Sequence, residues 1–284
     1  MIKNKVEKRI TLLKFGLFFL FMALSNTSQA LPYANSVPGG IALIPLILTT
    51  ETTAPYVTYK KQRVMIHKQN KQWFAVVGIP LSTKPGKHSI EVSVQNKKTY
   101  SIEFKINNKQ YESQYITLKN KRQVNPNALD LTRINQEKKQ MGRVFTSWRA
   151  QEEDLSPFIK PVQGPYSSPF GLRRFFNQQP RKPHSGVDIA APTGTDIIAP
   201  ADGIIGSRGN YFFNGKTILI DHGQGLVSMF CHMNTINVKL GQLIKRGEVV
   251  GTVGQTGRAT GPHLHWSLSL NNSRIDPILF LSEE

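Results

Sequence analysis

Seven histidines are spread over 284 residues, and five of them fall after residue 183. Two stand one residue apart in "GRATGPHLHW", at His263 and His265. The residues that follow, Ser267-Leu268-Ser269-Leu270, alternate as a strand does, which puts both imidazoles on the same side, about 6 to 7 Å apart along the chain. A second pair is His184 and Asp188 in "HSGVD". Gly186 between them argues for a turn rather than a helix, and a turn can fold both side chains towards one point. Two imidazoles and one carboxylate around a point would give zinc three protein ligands and a fourth position for water, the arrangement of a catalytic site. The spacing leaves open which histidine of the HxH pair binds. With a single cysteine, Cys231, the chain can form neither an internal disulfide nor a multi-cysteine zinc site, so a metal must be held mainly by His and carboxylate.

Two more histidines are separated by geometry. Residues 217–232 read as a hairpin turning at Gly223-Gln224-Gly225, with His222 at the turn and His232 six residues down the return strand, roughly 20 Å away. They cannot serve one site. His232 is the functional candidate and His222 a structural turn residue. Cys231, next to His232, is expected to point to the opposite face as a small buried hydrophobe.

The elements that must position these groups are mostly β. From Gly164 onward the chain is rich in Gly and Pro with short strands at Lys216 to His222, Leu226 to His232, Val249 to Val253 and Leu264 to Leu270. Earlier, Val64 to Ile66, Trp73 to Ile79, Ile90 to Val94 and Tyr100 to Ile106 are separated by turns at sandwich spacing. Between the two halves, Leu131, Ile134, Met141, Val144, Phe145 and Trp148 recur at three- and four-residue steps, which predicts an amphipathic helix from about Leu129 to Trp148. The expected division is a signal peptide over 1–30, an N-terminal β-sandwich-like domain over 31–124, a helical linker over 125–160 and an antiparallel-β catalytic domain over 161–284. Export follows from the basic residues Lys3, Lys5, Lys8, Arg9 and Lys14, the apolar run Phe15 to Leu24 and the cleavage pattern Ser28-Gln29-Ala30. That run is shorter than the ~20 residues of a membrane span, and no later segment could cross a bilayer. The formal charge of +18 then faces wall polymers and anionic lipid head groups in the periplasm or envelope rather than nucleic acid.

"HSGVD", "FCHM" and "GPHLHW", in this order and spacing, resemble the lysostaphin and LytM family of zinc metallopeptidases that cut peptidoglycan cross-links. The likeness covers about residues 160–284, with support from "FGLRR", "APTGTDIIAPADG" and "DHGQG". "PGGIALIPL" and "VVGIPLS" in the first half are similar to exported Gram-negative members carrying an extra N-terminal β-domain. The resemblance implies His184, Asp188 and His265 as ligands of one Zn2+, with His232 and His263 as a catalytic pair beside it. It also implies peptidoglycan as substrate, and specifically the D-alanyl to meso-diaminopimelate cross-link. No HExxH glutamate is present, so an imidazole is the expected general base. Arg173, Asn177, Tyr211, Phe212 and Phe213 are candidates for lining the groove, and Arg173, Arg174 or Arg181 for holding diaminopimelate carboxylates. The competing readings are a non-catalytic envelope module that activates or recruits other wall hydrolases, and a wall-binding protein with an architectural zinc. An envelope regulator is a possible partner.

Overall fold

The computed structural model describes residues 32–48, 54–94, 99–150 and 157–282; the signal-peptide reading of 1–30 lies outside them. The first half is a sandwich of two antiparallel sheets. One has the order β1 (Ile41–Pro45), β5 (Gln72–Gly78), β4 (Met65–Gln69), and the other β3 (Gln62–Arg63), β2 (Tyr56–Tyr59), β6 (Gly86–Ser93), β7 (Tyr100–Ile106). Ala42, Ile44, Ala75 and Val77 meet Val57, Ile90, Val92 and Ile106 between them. The alternate residues Ile41, Met65 and Val76 face the other way, into the core of the second half. A sheet buried on both faces has no polar side, which is why Phe74 to Val77 is continuously apolar rather than alternating.

The helix α1 (Ala128–Phe145) starts at Asn127, whose side-chain oxygen accepts from the Asp130 N–H while the Asp130 carboxylate accepts from the Asn127 N–H. This reciprocal cap satisfies two otherwise orphaned donors. The helix stops at Phe145, three residues before the expected end, and Trp148 instead receives the Arg63 guanidinium on its ring, 4.1 Å from the centroid. Leu131 is exposed, while Ile134, Val144 and Phe145 are buried.

The second half is built on one antiparallel sheet. Its order is β18 (Leu243–Ile244), β14 (Gly203–Tyr211), β15 (Gly215–Gly223), β16 (Leu226–Met233), β20 (His263–Leu270), β12 (Val187–Ala190), β9 (Tyr166–Ser168), with β21 (Ser273–Ile275) also on β20. A three-stranded sheet, β13 (Asp196–Ile198), β19 (Val249–Thr252), β17 (Thr235–Ile236), flanks it. One face of the main sheet carries Phe230, Leu264, Trp266 and Leu268 into the core. On the other, Leu219, Val227, Met229 and Cys231 lie under Val144 and Phe145 of α1. The β15–β16 turn uses two residues, Gln224 and Gly225, both at left-handed φ (47° and 74°), as a tight hairpin of matching twist requires.

The two halves interlock. β8 (Ser113–Ile116) pairs in parallel with β10 (Arg173–Phe176), which also holds β11 (Gln179–Pro180). Asn271 bonds both the N–H and the carbonyl of Gly78.

Candidate metal centre and cleft

β20 carries His263 and His265 on one face because Leu264 and Trp266, fully buried, take the other. In register beside it, Asp188 of β12 sits opposite His265, with Val187 and Ile189 turned into the core. His184 arrives from the turn before β12. Gly186 makes that turn possible: a Cβ there would lie 2.3 Å from the Trp266 carbonyl and 2.8 Å from Ser267 Oγ, so only glycine lets the chain pass β20 this closely.

The ring nitrogens can be assigned from their partners. His184 Nδ1 lies 2.7 Å from the Pro169 carbonyl, which can only accept, so this nitrogen carries the proton. Ser267 gives its hydroxyl proton to the Ser185 carbonyl (2.8 Å) and therefore accepts from His265 Nε2 at 2.9 Å. In the neutral rings, His184 Nε2 and His265 Nδ1 are left with lone pairs aimed inward. Those two atoms and Asp188 Oδ1 lie 2.7 to 3.0 Å from one another. Three acceptors at that distance repel unless a cation sits among them, and the two-nitrogen, one-oxygen set is one that zinc favours. The arrangement fits the metal. The second Asp188 oxygen accepts from Arg174 Nη2 at 2.9 Å, and Arg174 Nε donates to Gln114 Oε1 of β8. Burial opposes ionisation of Asp188, yet its close contacts with the His184 and His265 imidazoles hold its pKa well below the usual carboxylate range, as a cation at the same point would. Burial lowers His265 to about 4 against the pull of Asp188.

His232 and His263 flank this cluster. Their rings are 4.9 Å apart, and His263 Nε2 is 3.8 Å from Asp188 Oδ1. Each is fixed by a carbonyl on Nδ1, Thr256 for His232 and Gly261 for His263, both at 2.8 Å, so both present Nε2 to the site when neutral. Burial, followed by the His265 and His263 charges, lowers His232 to about 3. Strict alternation would have separated His232 from Cys231. The β15–β16 register shifts between the Ile218–Phe230 and Lys216–Met233 pairs, and His232 has φ 62°. This bulge turns His232 onto the face Cys231 already occupies, and both line one cleft. The expectation of opposite faces is thus corrected, although Cys231 is a buried apolar neighbour of Met229 and its thiol is pushed up to about 12 by burial. His222 is remote from the cleft, buried, with Nδ1 donating to the Asp202 carbonyl and Nε2 accepting from Ser228.

The cleft measures about 620 Å³ and is lined by Phe213, Asn214, Phe176, Arg174, Arg181 and Arg258 beside the five polar residues above. Four of the five groove candidates lie elsewhere. β10 turns Arg174 and Phe176 to the cleft, so Arg173 is on the solvent side, one residue out of phase. Asn177 clamps Leu118 by both its N–H (2.7 Å) and its carbonyl (3.1 Å). Tyr211 is buried with its hydroxyl 2.7 Å from that of Ser207. The Phe212 ring packs edge-on to Phe213, and its N–H donates to Glu137 of α1. Phe213 alone lines the cleft as expected. Arg258, Gln114 and Lys138 line it without having been singled out; of these only Arg258, the sole charge in "GRATGP", left a mark in the sequence.

A mostly β protein with a His–Asp–His cluster on one face of an antiparallel sheet, flanked by two further imidazoles, has the makings of a hydrolytic metal site. Residues 182–277 match the model of peptidase family M23, and residues 34–109 match the peptidase family M23 N-terminal domain. A solved peptidase M23 of Pseudomonas aeruginosa is 42% identical, with TM-score 0.73, over 87% of this chain and 95% of that one. The chain belongs to peptidase family M23. It is also 38% identical over 112 residues to the DD-carboxypeptidase/endopeptidase Mpg of Neisseria meningitidis and 40% identical over 111 residues to the peptidoglycan DD-endopeptidase ShyA of Vibrio cholerae. Each of these matches takes in 39% of this chain and 26% of the relative's length. Among the described residues no helix is long and apolar enough to cross a membrane.

Proposed function

We propose that this chain is a zinc-dependent peptidoglycan endopeptidase of the periplasm or cell envelope that hydrolyses the D-alanyl to meso-diaminopimelate cross-link. The observation that carries the reading is the convergence of His184 Nε2, Asp188 Oδ1 and His265 Nδ1 with no proton assigned between them. A zinc ion held by these three would polarise the scissile carbonyl and make water a competent nucleophile near neutral pH. His232 and His263, fixed by backbone carbonyls with Nε2 facing the cleft, then divide the remaining work. One neutral imidazole takes the proton from water, and the other, protonated, stabilises the negative charge that develops on the carbonyl oxygen. The amine departs with the proton returned by the same imidazole. Phe213 and Phe176 line the cleft, and aromatic walls of this kind suit a residue as small as D-alanine.

Purified sacculi digested by the mature protein should release monomers from dimeric muropeptides with glycan strands intact, and a chelator should abolish release. Undiminished activity under chelation would remove the zinc, and glycine-ended fragments from pentaglycine walls with dimers left untouched would remove the bond assignment.

A further inference from the structure

The wall of the cleft is positive. Arg174, Arg181 and Arg258 line it with Lys138 and Lys182, and Asp188 is the one carboxylate among the described residues that does. Asp188 is already engaged by Arg174. Arg181 donates to the Val124 carbonyl and to the side-chain oxygen of Asn125, and Arg258 to the Gln123 carbonyl at 3.1 Å. These are neutral acceptors, and no carboxylate of the described residues pairs with Arg258. Its guanidinium packs 4.5 Å from the Phe176 centroid and 4.3 Å from that of Phe213. Two rings and one carbonyl therefore hold its plane, a preorganised fork with donors to spare. Burial, then the nearby charges of Arg174 and Arg181, lower Arg258 to about 10.

We propose that Arg258 and Arg174 form a subsite for a free carboxylate on the amine side of the scissile bond, with Arg181 supplementing the field. This rests on the endopeptidase reading above. In the D-alanyl to diaminopimelate bond, the acyl residue has no ionisable side chain, whereas the acylated centre of diaminopimelate bears a carboxylate beside the departing nitrogen. Arg174 contacts Asp188, so that carboxylate needs to lie only one residue from the reacting carbonyl. A fork-to-carboxylate bond is stronger than the bond to a neutral carbonyl that it replaces, and the site then selects by charge as well as by size.

The test compares dimeric muropeptides whose acylated diaminopimelate centre is free or amidated. The wild type should favour the free acid about tenfold or more in kcat/KM, mainly through KM. Arg258→Met should bring that ratio close to one while zinc content stays as in the wild type, and Arg258→Lys should fall between, serving alone if the methionine variant does not fold. Equal cleavage of both dimers by the wild type, or an undiminished ratio in both variants, overturns the subsite. Calorimetric binding of the monomeric stem peptide, free or amidated at the same centre, separates the two readings. If neither dimer is cut but the free acid binds more tightly and loses that advantage in Arg258→Lys, the subsite stands and the endopeptidase reading falls. If binding does not distinguish the two peptides, the subsite falls.

Discussion

His184 and His265 turn lone pairs towards Asp188 because their other nitrogens are committed to Pro169 and, through Ser267, to Ser185. His232 and His263 are committed to carbonyls as well, but their free nitrogens face the cleft. The two sets should separate in experiment. His184→Ala, Asp188→Ala and His265→Ala are each expected to lose stoichiometric zinc by metal analysis, since two donors cannot hold it well. His232→Ala and His263→Ala should keep zinc and lose about 10²- to 10⁴-fold in kcat; zinc loss in either would move that histidine onto the metal. His222 gives a different signal. Burial lowers it to about 4, so the folded protein keeps it neutral while the unfolded chain takes up a proton below about pH 6.5. Its contribution is complete above that pH and is lost as pH falls towards 4, up to about 3 kcal/mol. Urea unfolding at pH 7.5 and 5 should therefore show a smaller pH difference for His222→Gln than for the wild type, and equal differences would dismiss the effect. Much of this scale was legible as candidates: residue type, the HxH period, the Gly186 turn and, for His232, a place on the return strand singled out the five groups, while their division into ligands and catalytic pair came from the family resemblance. Arg258 left only a lone charge in "GRATGP", because a charge acquires a role only when its neighbours are known.

The elements succeed where local rules apply and mislead where one exception intervenes. The Asn127 cap and the Gln224-Gly225 turn follow from residue type. Strand alternation places Leu264 and Trp266 inward and both histidines outward. The same rule failed for Cys231 and His232, since a bulge leaves no compositional trace when the residue at positive φ is not glycine. On β10 the rule offered no guidance, because Arg173-Arg174-Phe175-Phe176 has no alternation to say which arginine faces the cleft. The approach of the Gly186 turn to β20 yields a prediction at this scale. Gly186→Ala must displace the Trp266 carbonyl or the turn itself, so a loss of about 1 to 3 kcal/mol in stability is expected. Zinc retention should weaken with it, because His184 and Asp188 straddle the displaced residue. Calorimetric melting with metal analysis checks both, and an alanine variant with wild-type melting and zinc would show that the turn has room.

Over the whole molecule, the division of the chain near residues 124 and 160 understates how far the halves share structure. Ile41, Met65 and Val76 belong to the same core as Val187, Leu268 and Leu270, and β8 extends from the first half to lie along β10. Gln114, Ile116, Leu118 and Val124 consequently line the cleft. Sequence could not reveal this, because the apolar period of β1 and β5 says that both faces are buried without saying against what. The segment after β8 is held by the Asn177 clamp on Leu118. Asn177→Ala should loosen it and raise kcat/KM on cross-linked muropeptides a few-fold with little change in melting temperature; lower activity from a folded variant would mean that the segment helps seat substrate. The tie between Gly78 and Asn271 joins residues 193 positions apart, and the Tyr33 N–H reaches the Leu279 carbonyl at 2.8 Å. Contacts this distant in sequence close slowly and last. The sheet that bears the His–Asp–His cluster acquires its full support only once residues up to about Leu279 have been synthesised, so the proposed activity is expected to be absent from a nascent copy that stops short of them.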